Sequence, residues 1–320
     1  MVSAVASERA IQARSLERRF GDFVAVDHID LDIGRGEIYG FLGPNGAGKT
    51  TTVRMLVTLL APTSGEAWVA GHNITTEPEE VRLKIGVALQ GASLDPKQTG
   101  VEFLRLQGRL YGLSRREIDG RLERLRELID IGEALDHRMS TYSGGMKRRL
   151  DLAAALVHDP EILFLDEPTT GLDPNSRRVV WDEVRRLNQE YGTTIFLTTQ
   201  YLEEADQLAD RVGIIAQGRL VAEGPPADLK RQVGLDLVLV RVDGSAEKAS
   251  EAVRLLDGVD EVTFRDLELT IKTTDGSRLL GRVAVALSEA GIGVETLSHR
   301  APTLDDVFMA TTGHHMEIEQ

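Results

Sequence analysis

The sequence predicts an α/β domain followed by a smaller α+β domain, and three observations carry that reading. First, Gly43, Pro44, Asn45, Gly46, Ala47, Gly48, Lys49 and Thr50 fit the pattern G-x-x-x-x-G-K-[ST]. That stretch stands between a short apolar run ending at Leu42 and a helix-length segment running from Thr51 to Leu60, with Pro62 as its stop. Second, residues 161–167 hold four consecutive apolar residues and end on Asp166 and Glu167. Such a run suits a central parallel strand buried on both faces, with its carboxylates at the sheet end where ligands bind in open α/β sheets. Third, strand- and helix-length patterns between Leu237 and Ser298 follow in the order β-α-β-β-α-β, the ferredoxin-like split βαβ.

The chain of 320 residues is long enough for two domains. It has no cysteine, which removes disulfides and thiolate metal sites. Its 37 Lys and Arg against 51 Asp and Glu leave a net charge of −14, which argues against broad nucleic-acid binding. No apolar run reaches the length of a membrane span, and residues 1–20 lack the apolar core of a signal peptide. The expectation is a chain soluble by itself, whose work at a membrane requires a separate partner.

Taken in order, residues 12–40 alternate polar and apolar, as antiparallel strands with one wet face do. Phe20 there has two readings: a ring that stacks on adenine, or a core residue at a strand end. The glycines of the 43–50 loop let its backbone curl, so that N–H groups and the following helix N-terminus face an anion. Lys49 is expected to reach the β- and γ-phosphates of a nucleotide, Thr50 to hold Mg²⁺, and Thr51 to add a hydroxyl to a phosphate. Residues 84–90 read as another strand ending in Gln90. From Val101 the pattern turns helical, and Ser114 with Glu117 forms a capping box ahead of Ile118, Leu122, Leu125, Leu128 and Ile129.

Ser143 is a candidate N-cap, and Gly144 and Gly145 open a second helix N-terminus fit for an anion, followed by Lys147, Arg148 and Arg149. As an isolated pentapeptide, residues 142–146 equally describe an ordinary capped helix. Asp166 is placed to contact Mg²⁺ and Glu167 to polarise an attacking water. Asp173 sits in the loop of residues 170–174, residues 193–199 form the next strand, and Gln200 follows it. Gln200 is expected to position a phosphate through its amide, since it cannot serve as a base. The C-terminal domain shows no catalytic constellation, and His314 with His315 reads as a solvated pair.

In this order the motifs resemble those of the nucleotide-binding subunit of an ATP-binding cassette (ABC) transporter. The resemblance rests on the Walker A loop (residues 43–50), the Q-loop glutamine Gln90, the signature (residues 142–146), Walker B (residues 162–166) with Glu167, and the D-loop around Asp173. Three positions depart from the superfamily pattern: Tyr142 and Met146 at the ends of the signature, and Gln200 where a switch histidine usually stands. Those departures, and the segment from Pro302 to Phe308 with Thr312, Gly313 and His314, are similar to the daunorubicin-resistance type of ATP-binding subunit.

The resemblance implies a P-loop NTPase of the ABC type over residues 1–234, with a mixed sheet core and a helical subdomain at about 91–158, and an accessory α+β domain over 235–320. It implies ATP and Mg²⁺ as ligands, with Gln90 also at the metal, and a homodimer in which the signature of one copy faces the Walker A loop of the other. It further implies a separate membrane permease as partner, a peripheral place at the cytoplasmic face of the membrane, and efflux of a drug or other hydrophobic compound. Two rival expectations are a soluble ABC ATPase acting on DNA or ribosomes, and a regulatory nucleotide-binding module with little turnover. The short insertion, single cassette and acidic balance count against the first, and Glu167 counts against the second.

Overall fold

A computed structural model describes residues 9–89, 94–128 and 132–313. The chain divides into two compact units, one reaching Pro226 and the other running from Ala227 to His315. The division falls some eight residues before the boundary expected from the sequence, at the start of a helix rather than after it.

In the first unit, β1 (Arg9–Phe20), β2 (Phe23–Gly34) and β3 (Ile38–Leu42) lead to α1 (Lys49–Leu56). Then come β4 (Ser64–Val69), β5 (His72–Asn73), α2 (Pro78–Lys84) and β6 (Ile85–Ala88). The helical insertion holds α3 (Gly100–Leu110), α4 (Arg115–Leu128) and α5 (Gly144–Leu156). After it follow β7 (Ile162–Asp166), α6 (Pro174–Tyr191), β8 (Thr194–Thr199), α7 (Leu202–Leu208), β9 (Arg211–Ala216) and β10 (Arg219–Gly224).

β1, β2, β4 and β5 form an antiparallel sheet in the order β2-β1-β4-β5. The larger sheet runs β10-β9-β3-β8-β7-β6 and is parallel except for β10, so the expected mixed core is present. Its central strands are continuous apolar runs because both faces are covered. Phe41, Phe164 and Phe196 turn toward the antiparallel sheet and α1. Leu163, Leu165, Ile195 and Leu197 turn toward the helical insertion and α6. Phe196 is the hub of the first face, with ring centroids of Tyr39, Phe41 and Phe164 within 5.6 Å. Truncating such a fully buried ring costs about 3–5 kcal/mol.

Local signals explain the helix ends. α1 stops at Leu56, short of the expected Leu60, because Thr58 takes a left-handed turn and the amides of Leu59 and Leu60 fold back onto the Arg54 carbonyl. The Ser114–Glu117 capping box opens α4, whose Ile118, Leu122 and Leu125 are buried as expected. Gln90, Ile129, His314 and His315 lie outside the described residues, as does the side chain of Leu128.

In the second unit α8 (Pro226–Val233) precedes β11 (Asp236–Val242), α9 (Ala246–Arg254), β12 (Glu261–Arg265), β13 (Glu268–Thr273), α10 (Gly276–Glu289), β14 (Val294–Arg300) and α11 (Leu304–Thr312). The sheet order is β12-β13-β11-β14, all antiparallel, with the ferredoxin-like succession expected. Val238, Val240, Leu269 and Ile271 alternate inward against Ala249 and Val253 of α9 and Leu279, Val283 and Leu287 of α10.

One contact inside the helical insertion makes stability depend on pH. The rings of Tyr111 and His158 lie parallel, 3.6 Å apart at their centroids. His158 Nε2 bonds the Ile85 carbonyl at 2.9 Å, while Nδ1 is buried with no partner among the described residues. Burial pushes the imidazole from its ordinary 6.5 down to about 4. The unfolded chain therefore takes up this proton first, so the stability tied to His158 is present above pH 6.5 and is lost as pH falls toward 4. That contribution is at most about 3 kcal/mol. His158→Gln keeps a donor for Ile85 but cannot be protonated, so its melting temperature should fall less steeply between these pH values; an unchanged slope in a thermal-shift series would count against it.

Candidate functional site

The candidate site forms where the ends of β3, β7 and β8 come level. Parallel pairing sets Leu42 beside Thr199 and Asp166 beside Thr198. The loop between β3 and α1 rises from that edge. Gly48 precedes the helix at φ +111, and a Cβ there would stand 2.5 Å from the Ala25 carbonyl, so backbone and space both demand glycine. Gly43 is confined too, since a Cβ would lie 2.4 Å from the Ile215 carbonyl. The loop is tied to the turn between β9 and β10 by Gly218 N donating to Ala47 O at 2.9 Å.

A cleft of about 240 Å³ lies over this loop, lined by Phe20, Phe23, Ala25, Pro44, Asn45, Gly46, Gly48, Lys49, Thr50, Thr51 and Glu167. Lys49 is buried, and its Nζ donates to Gly43 O at 2.7 Å and Pro44 O at 3.2 Å. It stands 3.4 Å from Glu167 Oε1. Burial pulls the ammonium below its ordinary value, and the carboxylates of Glu167 and Asp166 pull it back up. The result is a desolvated cation beside the loop that leads into the N-terminus of α1, an environment suited to phosphate.

Asp166 is almost wholly buried at the end of β7. Its Oδ1 accepts from Thr198 Oγ1 at 2.5 Å and lies 3.5 Å from Thr50 Oγ1. Asp166 and Thr50 are hard oxygen donors side by side, the donor type Mg²⁺ prefers. Glu167 follows with φ +48, a left-handed conformation for a residue that also precedes proline. Such a backbone costs of order 1–3 kcal/mol and persists only where neighbours hold it. Its amide donates to Thr198 at 3.1 Å, and its Oε2 accepts from Thr170 Oγ1 at 3.2 Å.

Phe20 is half exposed, which removes its reading as a core residue, and it lines the cleft. One of its faces is covered by the Arg18 guanidinium, 4.5 Å from the ring centre. Phe23, directly opposite across the turn, lines the same cleft and was not anticipated from the sequence. Gln200 is buried just beyond β8, and its Oε1 has no partner among the described residues. It does not line the cleft, although Thr199 O beside it accepts from Gly43 N at 3.4 Å.

Ser143 caps α5, accepting from Met146 N at 3.3 Å, and Gly144 and Gly145 begin that helix. Asp173 is the N-cap of α6, accepting from the amides of Asn175 and Ser176, rather than the centre of a loop. None of Ser143, Gly144, Gly145 and Asp173 lines the cleft over the 43–50 loop. Gly144 lines a second cleft of about 510 Å³, which Glu167 lines as well.

If Nε2 of Gln200 donates to a bound nucleotide, Gln200→Ala should lower ATP turnover about ten- to a hundred-fold, one hydrogen bond to a charged group, and Gln200→His should retain much of it. Wild-type turnover of Gln200→Ala at saturating ATP would refute that role.

Comparison with known proteins gives the same reading at the level of the family. The ABC transporter family profile matches residues 26–170, and that of the ATP-binding protein DrrA1-3-like C-terminal domain matches residues 224–312. The chain is 48% identical to the daunorubicin/doxorubicin resistance ATP-binding protein DrrA of Streptomyces peucetius, over 96% of this chain and 93% of that protein. It is 47% identical to the daunorubicin resistance ATP-binding protein DrrA3 of Streptomyces coeruleorubidus, over 98% and 99%. Among solved structures, a dimeric bacterial ABC transporter cassette superposes with a TM-score of 0.61 at 25% identity, covering 67% of this chain and 98% of that one. A P-loop cassette followed by a ferredoxin-like domain, with these relatives along nearly its whole length, places the chain in the family of ABC transporter ATP-binding proteins of the DrrA type.

Proposed function

We propose that the chain binds and hydrolyses ATP to drive export of a drug or other hydrophobic compound through a separate membrane permease. The observation that carries this reading is the buried Lys49 ammonium, held between the loop carbonyls and Glu167 at the base of the nucleotide cleft. Lys49 and the loop amides bind the β- and γ-phosphates, Thr51 adds a hydroxyl, and Phe20 offers its free face to adenine. Thr50, Asp166 and Gln90 would hold Mg²⁺, which when bound neutralises phosphate charge. Glu167 accepts the proton of the attacking water, and its backbone strain agrees with a residue held for chemistry rather than for stability.

The second phosphate-fit helix end, at Ser143, does not line this chain's own nucleotide cleft. We infer that Ser143, Gly144 and Gly145 serve the nucleotide of a second copy, with Asp173 near the same seam, so that ATP joins a homodimer. The relatedness to a cassette solved as a dimer supports this. No helix among the described residues is long and apolar enough to cross a membrane. We infer that the permease is a different chain, with this one peripheral at the cytoplasmic face, as the relatedness to drug-resistance ATP-binding proteins supports. On α3 the side chains of Phe103, Leu106 and Leu110 share one face, and Leu106 and Leu110 are exposed. That face, with the loop before it, is the proposed seat of the permease. The rival reading of a soluble ATPase on DNA or ribosomes has only the short α3 and α4 to offer, on a chain of net charge −14.

Two experiments test these assignments. Glu167→Gln should bind ATP as well as wild type while hydrolysis slows about a hundred-fold or more, and ATP-bound dimers should build up on size exclusion. Undiminished turnover would remove Glu167 from the chemistry. Photocrosslinkers at Leu106 and Leu110 should capture an integral membrane protein from native membranes; capture only from positions in the second unit would sink the proposed docking face.

A further inference from the structure

Arg148 lies in the second turn of α5, and its guanidinium points inward, with the side chain 17% exposed. Its Nε donates to Pro168 O at 2.9 Å, and Nη2 donates to Asp166 O at 3.1 Å. Nη1 donates to Leu89 O at 3.2 Å and to Asp151 Oδ2 at 3.2 Å. Asp151 sits one turn further along the same helix and is itself largely buried. The first two carbonyls flank Glu167 on either side.

The Asp166 carbonyl belongs to the peptide plane that sets φ of Glu167, and the Pro168 carbonyl follows a residue whose own φ is locked by its ring. A planar fork that holds both carbonyls fixes the approach to Glu167 and the departure from it. Nothing in the local sequence favours a left-handed glutamate before a proline, so the conformation has to be imposed through tertiary contacts. Thr198 supplies one, by accepting from the Glu167 amide, Thr170 and Lys49 hold the carboxylate, and the Arg148 fork supplies a further one on the flanking carbonyls.

We propose that Arg148 is a positioning residue that clamps Glu167 in its left-handed conformation and so aims its carboxylate into the nucleotide cleft, with Asp151 as its charge partner. The assignment rests on Glu167 being the base. It gives the first turns of α5 a second task beside capping. The same side chain that rides on this helix grips the loop after β7 and the end of the β6 strand region at Leu89, so a displacement of α5 bears directly on the reactive carboxylate.

The test uses the full chain copurified with its permease, and compares Arg148→Lys, Glu167→Gln and the double variant. Lysine keeps a cation beside Asp151 but cannot bridge both carbonyls. Arg148→Lys should lower kcat about ten- to a hundred-fold, with the KM for ATP and the affinity for a fluorescent ATP analogue within about two-fold of wild type. In the Glu167→Gln background the same substitution should change the residual single-turnover rate by less than about two-fold, because the group it aims is gone. An equal loss in both backgrounds, or a loss of nucleotide affinity in step with the rate, would overturn the clamp. Wild-type hydrolysis by Glu167→Gln alone would instead defeat the base assignment, and the two failures are distinct. Should Arg148→Lys fold poorly, Asp151→Asn leaves the fork on its carbonyls, and its fall in kcat should be clearly smaller; a fall as large as the expected one for Arg148→Lys would show that the ion pair, not the fork, matters.

Discussion

The register of three parallel strands is the constraint from which the rest of the site follows. β3, β8 and β7 end together, so the phosphate loop, Thr198, Thr199 and Asp166 stand along one edge. A shift of one residue in any strand would turn Asp166 or Thr198 to the other face. The register is held by packing on both sides of the sheet, with Phe196 between Tyr39, Phe41 and Phe164 on one face and Leu163, Leu165 and Leu197 on the other. The core therefore does more than stabilise the domain. It sets the spacing between a buried ammonium and two carboxylates, and these are groups whose interaction changes steeply with distance when water is excluded.

Much of that arrangement was legible in the sequence because it is written locally. The glycine loop, the apolar strand with its two acids and the Ser143 cap each occupy a handful of consecutive residues. The α6 helix was missed although its signals were there: Asp173 as N-cap, Pro174 at the first helical position, and buried Val180, Trp181, Val184 and Leu187 at helical spacing. Its many charged residues masked that stripe. β10 went unread, since it is an edge strand whose residues are all exposed or half-exposed. Arg148 and Phe23 were illegible for another reason. A basic residue in the first turns of a helix reads as part of an anion site, and only tertiary structure shows this guanidinium turned away, onto three carbonyls of two separate segments. Phe23 joins the cleft through its cross-strand partner Phe20, a relation between strands that no single-strand pattern contains.

The second unit illustrates another case, a domain whose β-α-β-β-α-β succession was legible, though its flanking helices α8 and α11 were not, and which is silent about chemistry. Its strands put apolar residues inward, its two long helices each present an apolar stripe, and among the described residues its core buries no acid or base, only the hydroxyl residues Thr273 and Ser250. The ion pairs on its sheet, Arg241 with Glu268 and Glu295 and Lys272 with Glu261, are exposed and contribute little. A fold assembled from apolar periodicity alone is a scaffold, and nothing in it needs the strain found beside β7.

That strain is shared out in a definite way. The segment from Glu167 to Thr169 is gripped from two sides: by Arg148 of α5 through the Asp166 and Pro168 carbonyls, and by Glu204 of α7, whose Oε1 accepts from Thr169 Oγ1 and Trp181 Nε1, each at 2.9 Å. Burial raises the Glu204 carboxyl above its ordinary value, a cost the surrounding donors only partly offset. Polar groups so deeply buried are poor investments for stability and good ones for fixing a single conformation when their hydrogen bonds are made. One grip belongs to the strand-and-helix core, which stays with the phosphate loop. The other belongs to α5, whose N-terminus carries the signature. The conformation of Glu167, the base proposed above, thus depends at once on the sheet core, through Thr198, and on α5, through Arg148.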